Sequence, residues 1–193
     1  MFCYFAFSKH TMLSNIFGKK EDNSQNALFT DKVFLNNTAK MHACVKLANE
    51  NETVLFIAWF SETALEYRNV FLQFGIDIAR VIEVQHLHEK HLENRRPVFV
   101  EHYPLNENEI ALTANWNLTG IPVFSAMDEP LFKHFGSDKM VPLIKLLGFK
   151  ESEPIEHSYV TQSIIKGQQK IADRIETETP ANSQKDWMEI NLK

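Results

Sequence analysis

The run Thr53-Val-Leu-Phe-Ile-Ala-Trp-Phe60 is apolar without a break and is bounded by polar residues on both sides. A strand with one wet face alternates, so an unbroken apolar strand needs cover on both faces, as in a parallel sheet flanked by helices. The run is therefore placed centrally in such a sheet. Ser61 is expected to cap a helix whose face is Ala64, Tyr67, Phe71 and Phe74, with Gly75 supplying its last turn. Strands are predicted at 79–84, 97–101 and 121–125, with a short helix over 87–94 and another over 106–117. Upstream, 31–35 reads as a short strand, and Thr38 as the cap of a helix burying Met41, Cys44, Val45 and Ala48. Strands alternating with helices give an α/β fold with a parallel sheet and right-handed crossovers.

The region after Ile121 is helical by its spacing. Pro130 suits a first helical turn, where its missing N–H would have no partner, and Gly136 can take the left-handed conformation that ends a helix. Ser137 or Asp138 is expected to cap the next helix, where Met140, Leu143, Ile144 and Leu147 fall at i, i+3, i+4 and i+7. Pro142 loses no hydrogen bond only in a first turn, which places the start of regular helix near Lys139. A third helix begins near Ser158 with Val160, Ile164, Ile165, Ile171 and Ile175 on one side. His157 is expected to cap and orient it. Its first half should pack on the 138–147 helix, leaving the end beyond Ile171 exposed or against a partner chain.

This block carries a family resemblance in Phe124-Ser-Ala-Met-Asp-Glu-Pro-Leu131, Phe135-Gly-Ser-Asp-Lys139, Leu146-Leu-Gly-Phe149, Glu153-Pro-Ile-Glu-His157, and then Val160, Ile164, Gln168 and Lys170. It resembles the SecA preprotein-translocase ATPase where its second motor domain meets the long scaffold helix. The pairing of FGSD with EPIEH at this distance is specific, whereas either word alone is weak. Lys40, the run 53–60, the helix 61–74, the strand 79–84 and His88-Glu89-Lys90 follow in the order of the same domain. The resemblance implies a RecA-like (P-loop NTPase-like) three-layer parallel sheet, one half of a helicase-type engine, with a C-terminal helical extension. Four parts are expected: a 1–30 arm or linker, polar over 18–30; a degenerate motor-type domain over 31–150 and a helical extension over 151–176, as the resemblance implies; and, from the polar stretch with Glu176, Glu178 and Pro180, a flexible tail over 177–193. Met12-Leu-Ser-Asn-Ile-Phe-Gly-Lys-Lys-Glu-Asp22 resembles the opening words of SecA, which would make Met12 the natural start; an ordinary polar arm explains it as well.

The nucleotide machinery of that family is missing. A helicase-type ATPase needs a glycine-rich phosphate cradle, acids that hold Mg²⁺ and an arginine facing the γ-phosphoryl group. Gly18-Lys19-Lys20 lacks the upstream glycine, the preceding strand and the Ser/Thr of a phosphate loop. Where the resembled domain carries a Gly- and Arg-rich loop, this chain has the acidic, glycine-free Glu101-His-Tyr-Pro-Leu-Asn-Glu-Asn-Glu109. No arginine occurs between Arg96 and Arg174. No ATP-binding or catalytic residue is carried over, no cofactor is expected, and the chain alone is expected not to hydrolyse ATP.

Composition narrows the classes further. A formal charge of −5 disfavours nucleic-acid binding, which rests on clustered Lys and Arg. Two cysteines, Cys3 and Cys44, are too few for a disulfide framework and suit a reducing, cytoplasmic setting; Cys44 reads as a buried small hydrophobe. No apolar run approaches the ~20 residues of a membrane span. Met1-Phe-Cys-Tyr-Phe-Ala-Phe7 is too short for a signal-peptide core, so the Asn-x-Thr triplets at Asn36, Asn51 and Asn117 carry no glycosylation argument.

Candidate site residues are few. His86, His88 and His91, with Glu89 and His102 near, could bind Zn²⁺; a solvated polar turn is the preferred reading, because CxxC and HExxH spacings are absent. Glu101, His102 and Tyr103 follow a predicted strand, at the end where α/β folds bind ligands, and could do acid/base work or simply cap strands. Strand capping is preferred, since sequence neighbours rarely converge on one substrate. The resemblance and the lost nucleotide loops imply a non-catalytic, SecA-like half-motor that binds protein, either a translocase component or itself. Its partner surface is placed at Glu101, His102, Tyr103, Ile171 and Ile175. The alternative is a small α/β enzyme or small-molecule binder using the 101–109 loop and the three histidines.

Overall fold

A computed structural model describes residues 27–193; the readings for Met1, Met12, Cys3 and Gly18–Lys20 lie outside the described residues. The first half of the described chain runs β1 (Phe29–Phe34), α1 (Asn37–Glu50), β2 (Val54–Ala58), α2 (Ser61–Gln73) and β3 (Val81–Glu83). Then come β4 (Arg96–Phe99), α3 (Asn106–Thr113) and β5 (Ile121–Ala126). Four helices follow: α4 (Pro130–His134), α5 (Ser137–Leu146), α6 (Ser158–Ala172) and α7 (Gln184–Asn191).

All strand pairs are parallel, and the sheet order is β1-β5-β4-β2-β3. Every residue of β2 is buried, because the strand has a neighbour on each side and cover on each face. Val54, Phe56 and Ala58 point into a core with Met41, Cys44, Val45, Tyr67 and Phe71 from α1 and α2. Leu55 and Ile57 point the opposite way, against Phe99, Ile121 and Val123, with Leu112 and Trp116 from α3 and the turn after it packed on them. This is a three-layer α/β architecture of the RecA-like type. The strand at its centre is β4, one position over from the 53–60 run.

A third core joins the C-terminal half to the sheet and contains Val33, Phe60, Met127, Leu131, Ile144, Ile155, Ile164, Ile171 and Trp187. The outer edge of β1 is blunted by an antiparallel bridge: Val33 N–H donates to Ile155 O at 3.2 Å, and Ile155 N–H to Val33 O at 2.8 Å. Pairing that edge hides backbone groups that would otherwise recruit another strand. The Glu153–His157 word thus has a local physical task. His157 is the N-cap of α6, its ring accepting from Tyr159 N–H, as expected from the sequence.

Several local expectations are corrected. The first helix is capped by Asn36, whose side chain accepts from Ala39 N–H, rather than by Thr38. Ser61 is the first residue of α2; Phe60 stands at the cap position without a side-chain cap bond. The 79–84 strand shortens to Val81–Glu83 because Ile78–Arg80 winds into a 3₁₀ turn capped by Asp77. The 87–94 helix is a single 3₁₀ turn, Glu89–His91, and α3 stops at Thr113. Gly136, at φ 80°, is the N-cap of α5, and Pro142 lies inside that helix rather than in its first turn. Ser137 Oγ instead donates to Met127 O at 2.5 Å.

The largest correction is at the C-terminus. The 177–193 stretch, expected to be a flexible tail, folds as α7 with Trp187 fully buried. Trp187 Nε1 donates to Glu178 at 2.8 Å, and Asn182 O accepts from Glu62 N–H at 3.1 Å at the start of α2. Glu178 accepts from Tyr103 and Asn108 of the domain, and the buried Trp187 and Met188 add apolar area that holds the segment down. Ile171 is likewise 0 % exposed, so it does not form the exposed partner surface expected from the sequence; Ile175 beside it is only partly buried.

Candidate functional site

The C-terminal ends of β1, β4 and β5 lead into a buried polar cluster, at the edge of the sheet where parallel α/β folds place ligands. Lys40 projects from the otherwise apolar face of α1 and is 2 % exposed. Its Nζ donates to Val100 O at 2.7 Å and to Glu129 Oε1 at 2.5 Å. Burial alone would discharge the ammonium, but the Glu129 carboxylate outweighs it and holds Lys40 charged. Ala126 N–H also donates to Glu129 Oε1, at 2.9 Å.

Glu101, just after β4, occupies the start of α2. Its Oε1 accepts from Trp59 N–H at 3.0 Å and Phe60 N–H at 3.2 Å, and its Oε2 from Thr63 Oγ1 at 2.8 Å. The helix lacks a side-chain cap; this carboxylate instead ties down the two residues that lead into it, while Asn182 O accepts the Glu62 N–H of its first turn. Burial pushes the Glu101 carboxyl up to about 7, although Lys40 opposes the rise.

His102 points elsewhere. Its Nε2 lies 3.0 Å from Asp31 Oδ1 and its Nδ1 3.0 Å from Glu109 Oε1, with all three side chains buried. Burial would lower the imidazole, but Glu109 and Asp31 together hold it well above its ordinary value. The ring therefore stays cationic and joins β1 to α3. Tyr103 takes a third direction: its hydroxyl donates to Glu178, and its ring stacks on Phe60 at 5.6 Å. Glu101, His102 and Tyr103 accordingly do not converge on one point. They tie separate elements together, which favours the strand-capping role over acid/base work.

Two glutamines complete the lattice. Gln168 of α6 donates to Tyr103 O at 2.8 Å and Glu109 Oε2 at 3.0 Å. Gln184 of α7 donates to His102 O at 2.9 Å and accepts from Leu131 N–H at 2.8 Å. Beside this lattice lies a cavity of about 410 Å³, whose walls include Lys40, Thr63, Glu101, Asp128, Glu129 and Gln184.

Of the partners in this cluster, Lys40, Glu129, Asp31, Glu109, Gln168 and Gln184 were not singled out as site residues from the sequence. A signal existed for Lys40, which sits among Met41, Cys44, Val45 and Ala48 on the buried side of α1. The histidines lie at a distance from the cluster in sequence and do not gather around a common point. His91 Nδ1 accepts from His88 N–H at 3.0 Å and the two rings stack, while the exposed His86 is 3.7 Å from Glu83. Among the described residues, no group of three or more His, Cys, Asp or Glu side chains is arranged to hold a metal ion. Cys44 is fully buried, its thiol 3.8 Å from the Tyr67 hydroxyl and pushed up to about 12 by burial, which makes it inert.

No family model matches the chain. Part of it is similar to protein translocase subunits SecA. The match is 45 % identical over 51 residues to that of Acidithiobacillus ferrooxidans and 38 % over 55 residues to that of Thermus thermophilus. With the SecA subunit of Ehrlichia canis it is 39 % over 51 residues. The matches cover 26–28 % of this chain. The chain spans about 6 % of the length of these relatives. It therefore contains a SecA-related region within an α/β parallel-sheet fold. No helix among the described residues is long and apolar enough to cross a membrane.

Proposed function

We propose that this chain is a non-catalytic, SecA-like half-motor that serves protein export by binding another protein, in the cytoplasm. The SecA-related block is read as the junction of a degenerate second motor domain with the start of a scaffold helix. The body over 31–150 supplies the sheet, and 151–176 the helical extension. The observation that carries the reading is Glu101: at the ligand-binding end of the sheet its carboxylate accepts the Trp59 and Phe60 N–H groups that lead into α2, beside a charged lattice that holds the C-terminal helices in place. A motor half whose β2–α2 turn is tied to a carboxylate of its own keeps the shape of the fold and gives up turnover. What remains is a surface for a translocase component or a second copy of the chain.

The test is co-purification of translocase components with the tagged chain from cells, against a tag-only control, with calorimetric titration of ATP–Mg²⁺ alongside. Specific enrichment with no micromolar nucleotide binding is the expected result. Failure to enrich, or phosphate release by the purified chain, would overturn the reading. The second reading, a small-molecule binder, is favoured by the cavity of about 410 Å³, which is within the size range of small-ligand sites.

A further inference from the structure

A second cavity, of about 90 Å³, opens where α4, α5 and α6 meet. Its wall is apolar, with Leu131, Phe132 and Phe135 on one side, Met140 and Ile144 on α5, and Ile164 on α6. No charged side chain lines it, and its two hydroxyls have already placed their protons: Ser137 Oγ donates to Met127 O and Ser163 Oγ to Tyr159 O. A polar guest would find few partners here. An apolar cavity of ~150 Å³ accepts benzene, so this smaller one has room for about one apolar side chain. The surface around it is apolar too. Phe135 is 38 % exposed, Leu143, one turn along α5 from Met140, is 60 % exposed, and Ile165, next to Ile164, is 44 % exposed. Cavity and exposed side chains together make a groove that a longer apolar segment would cover.

The chain carries such a segment. Met1-Phe-Cys-Tyr-Phe-Ala-Phe7 is apolar at every position and is followed by the polar Ser8-Lys9-His10. It precedes the described residues, which begin at Ala27. Gly120 N–H donates to Ala27 O at 2.9 Å, which fixes the start of the link at the beginning of β1. From there β1 runs toward the cavity, because Val33 is bridged to Ile155, itself a wall residue. Ala27 to Val33 is about 20 Å at ~3.3 Å per residue. The link of residues 8–26 can span up to ~60 Å. The head therefore reaches the groove with length to spare. Tethering also gives it an effective concentration on the order of millimolar, against which any free partner must compete.

We propose that the apolar head Met1–Phe7 docks within its own chain in the groove between α4, α5 and α6, with one of its aromatic side chains in the cavity. The groove is then covered from within. The inference goes beyond the export reading and is tested on the purified chain without nucleotide or partner, so either can fail without the other.

Cys3 is a probe already in the head, since Cys44 is buried and inert. Ser163→Cys places a thiol in the groove wall, whereas Glu52→Cys places one at the exposed start of β2, at the end of the sheet where Ala27 lies. A disulfide needs Cα atoms within about 7 Å, so the rate of Cys3 capture under oxidised glutathione reports proximity. Capture is read by mass spectrometry of the unreduced, digested chain. Ser163→Cys should capture Cys3 about tenfold faster than Glu52→Cys or more, within one chain and independently of protein concentration. Adding Phe2→Asp with Phe5→Asp should bring the rate down to the Glu52→Cys level. Should Ser163→Cys fail to fold, deletion of residues 1–11 decides: it should raise binding of the neutral apolar dye Nile red about threefold or more, and Val160→Phe in the shortened chain should abolish the gain. The proposal is overturned if the two thiols capture Cys3 equally fast or if the aspartates leave the rate unchanged. It is also overturned if capture runs only between chains and grows with concentration, which would assign the groove to a second copy, or if the deletion leaves dye binding as in the full chain.

Discussion

Replacing Lys40 by Met leaves a volume close to the original and removes one charge from the interior. Lys40 is 2 % exposed and its ammonium stands 2.5 Å from Glu129 Oε1, so Glu129 would be stranded without its counter-ion. At an effective dielectric near 20 the gross attraction at that distance is about 7 kcal/mol, and desolvation of both groups offsets part of it. Removing one member of a buried pair costs about 3–5 kcal/mol. Val100 O, which accepts from the same ammonium at 2.7 Å, would lose its donor as well. Lys40→Met should therefore lose about 4 kcal/mol in urea denaturation at pH 7, with the m-value unchanged. The double variant Lys40→Met with Glu129→Gln should recover about half of that loss or more, because the stranded charge is gone. A loss below about 1 kcal/mol in the single variant would show that the pair is hydrated and carries little. Strict additivity of the two single changes would show that Lys40 and Glu129 are not coupled, and would refute the account of this cluster.

Three further outcomes are expected. Trp187→Ala should cost about 3–5 kcal/mol in the same assay, because the indole is fully buried in the core it shares with Ile171 and Leu131; a change within 0.5 kcal/mol would return the segment to the status of a loose tail. Glu101 has a folded value raised to about 7 by burial from an ordinary 4.5, so the folded state holds its proton longer than the unfolded chain does. Stability from this group is present at acid pH and falls as pH rises from about 4.5 to 7, so between pH 5 and 8 the parent should lose about 2.5 kcal/mol relative to Glu101→Gln; parallel urea-midpoint profiles of the two proteins would contradict this. At Gly167, an added Cβ would stand 2.6 Å from Phe135 Cε2, so Gly167→Ala should destabilise by about 1–3 kcal/mol, and Phe135→Leu should relieve it; thermal melts of the single and double variants check this.

The sheet was legible because its strands are written in composition. Val54–Ala58 is buried on both faces, and an uninterrupted apolar run can be accommodated in few other ways. Its place one position from the sheet centre was not legible, since strand order depends on crossovers that leave no periodic trace. Local caps were misread because the capping rules name residue types and not positions: Asn36 and Thr38 are both good candidates two residues apart, and Ser61 at the start of α2 goes unused as a cap while Glu101 anchors the Trp59 and Phe60 N–H groups before it. The tail was misread on polarity: Glu176, Glu178 and Asn182 look solvated in sequence, yet Glu178 receives the Trp187 indole and the Tyr103 hydroxyl. Ile171 was assigned to a partner surface because a lone helix would leave it wet, and α7 was not counted among the elements that could cover it.

The buried cluster follows a logic that single residues do not reveal. Each of its side chains has an ordinary structural explanation when taken alone: a cap, an ion pair, a strand tie. Together they place Lys40, Glu101, His102 and Glu129 at the end of the sheet where a parallel α/β fold has its unsatisfied donors. In such a fold those donors ordinarily wait for a ligand. Here the N–H groups leading into α2 meet Glu101, a lysine is neutralised by Glu129, and an imidazole is held between two carboxylates. Two glutamines then bind the C-terminal helices onto the same lattice, so the region that would open and close around a ligand is fastened from both sides. Fastening of this kind suits a body that presents a fixed surface.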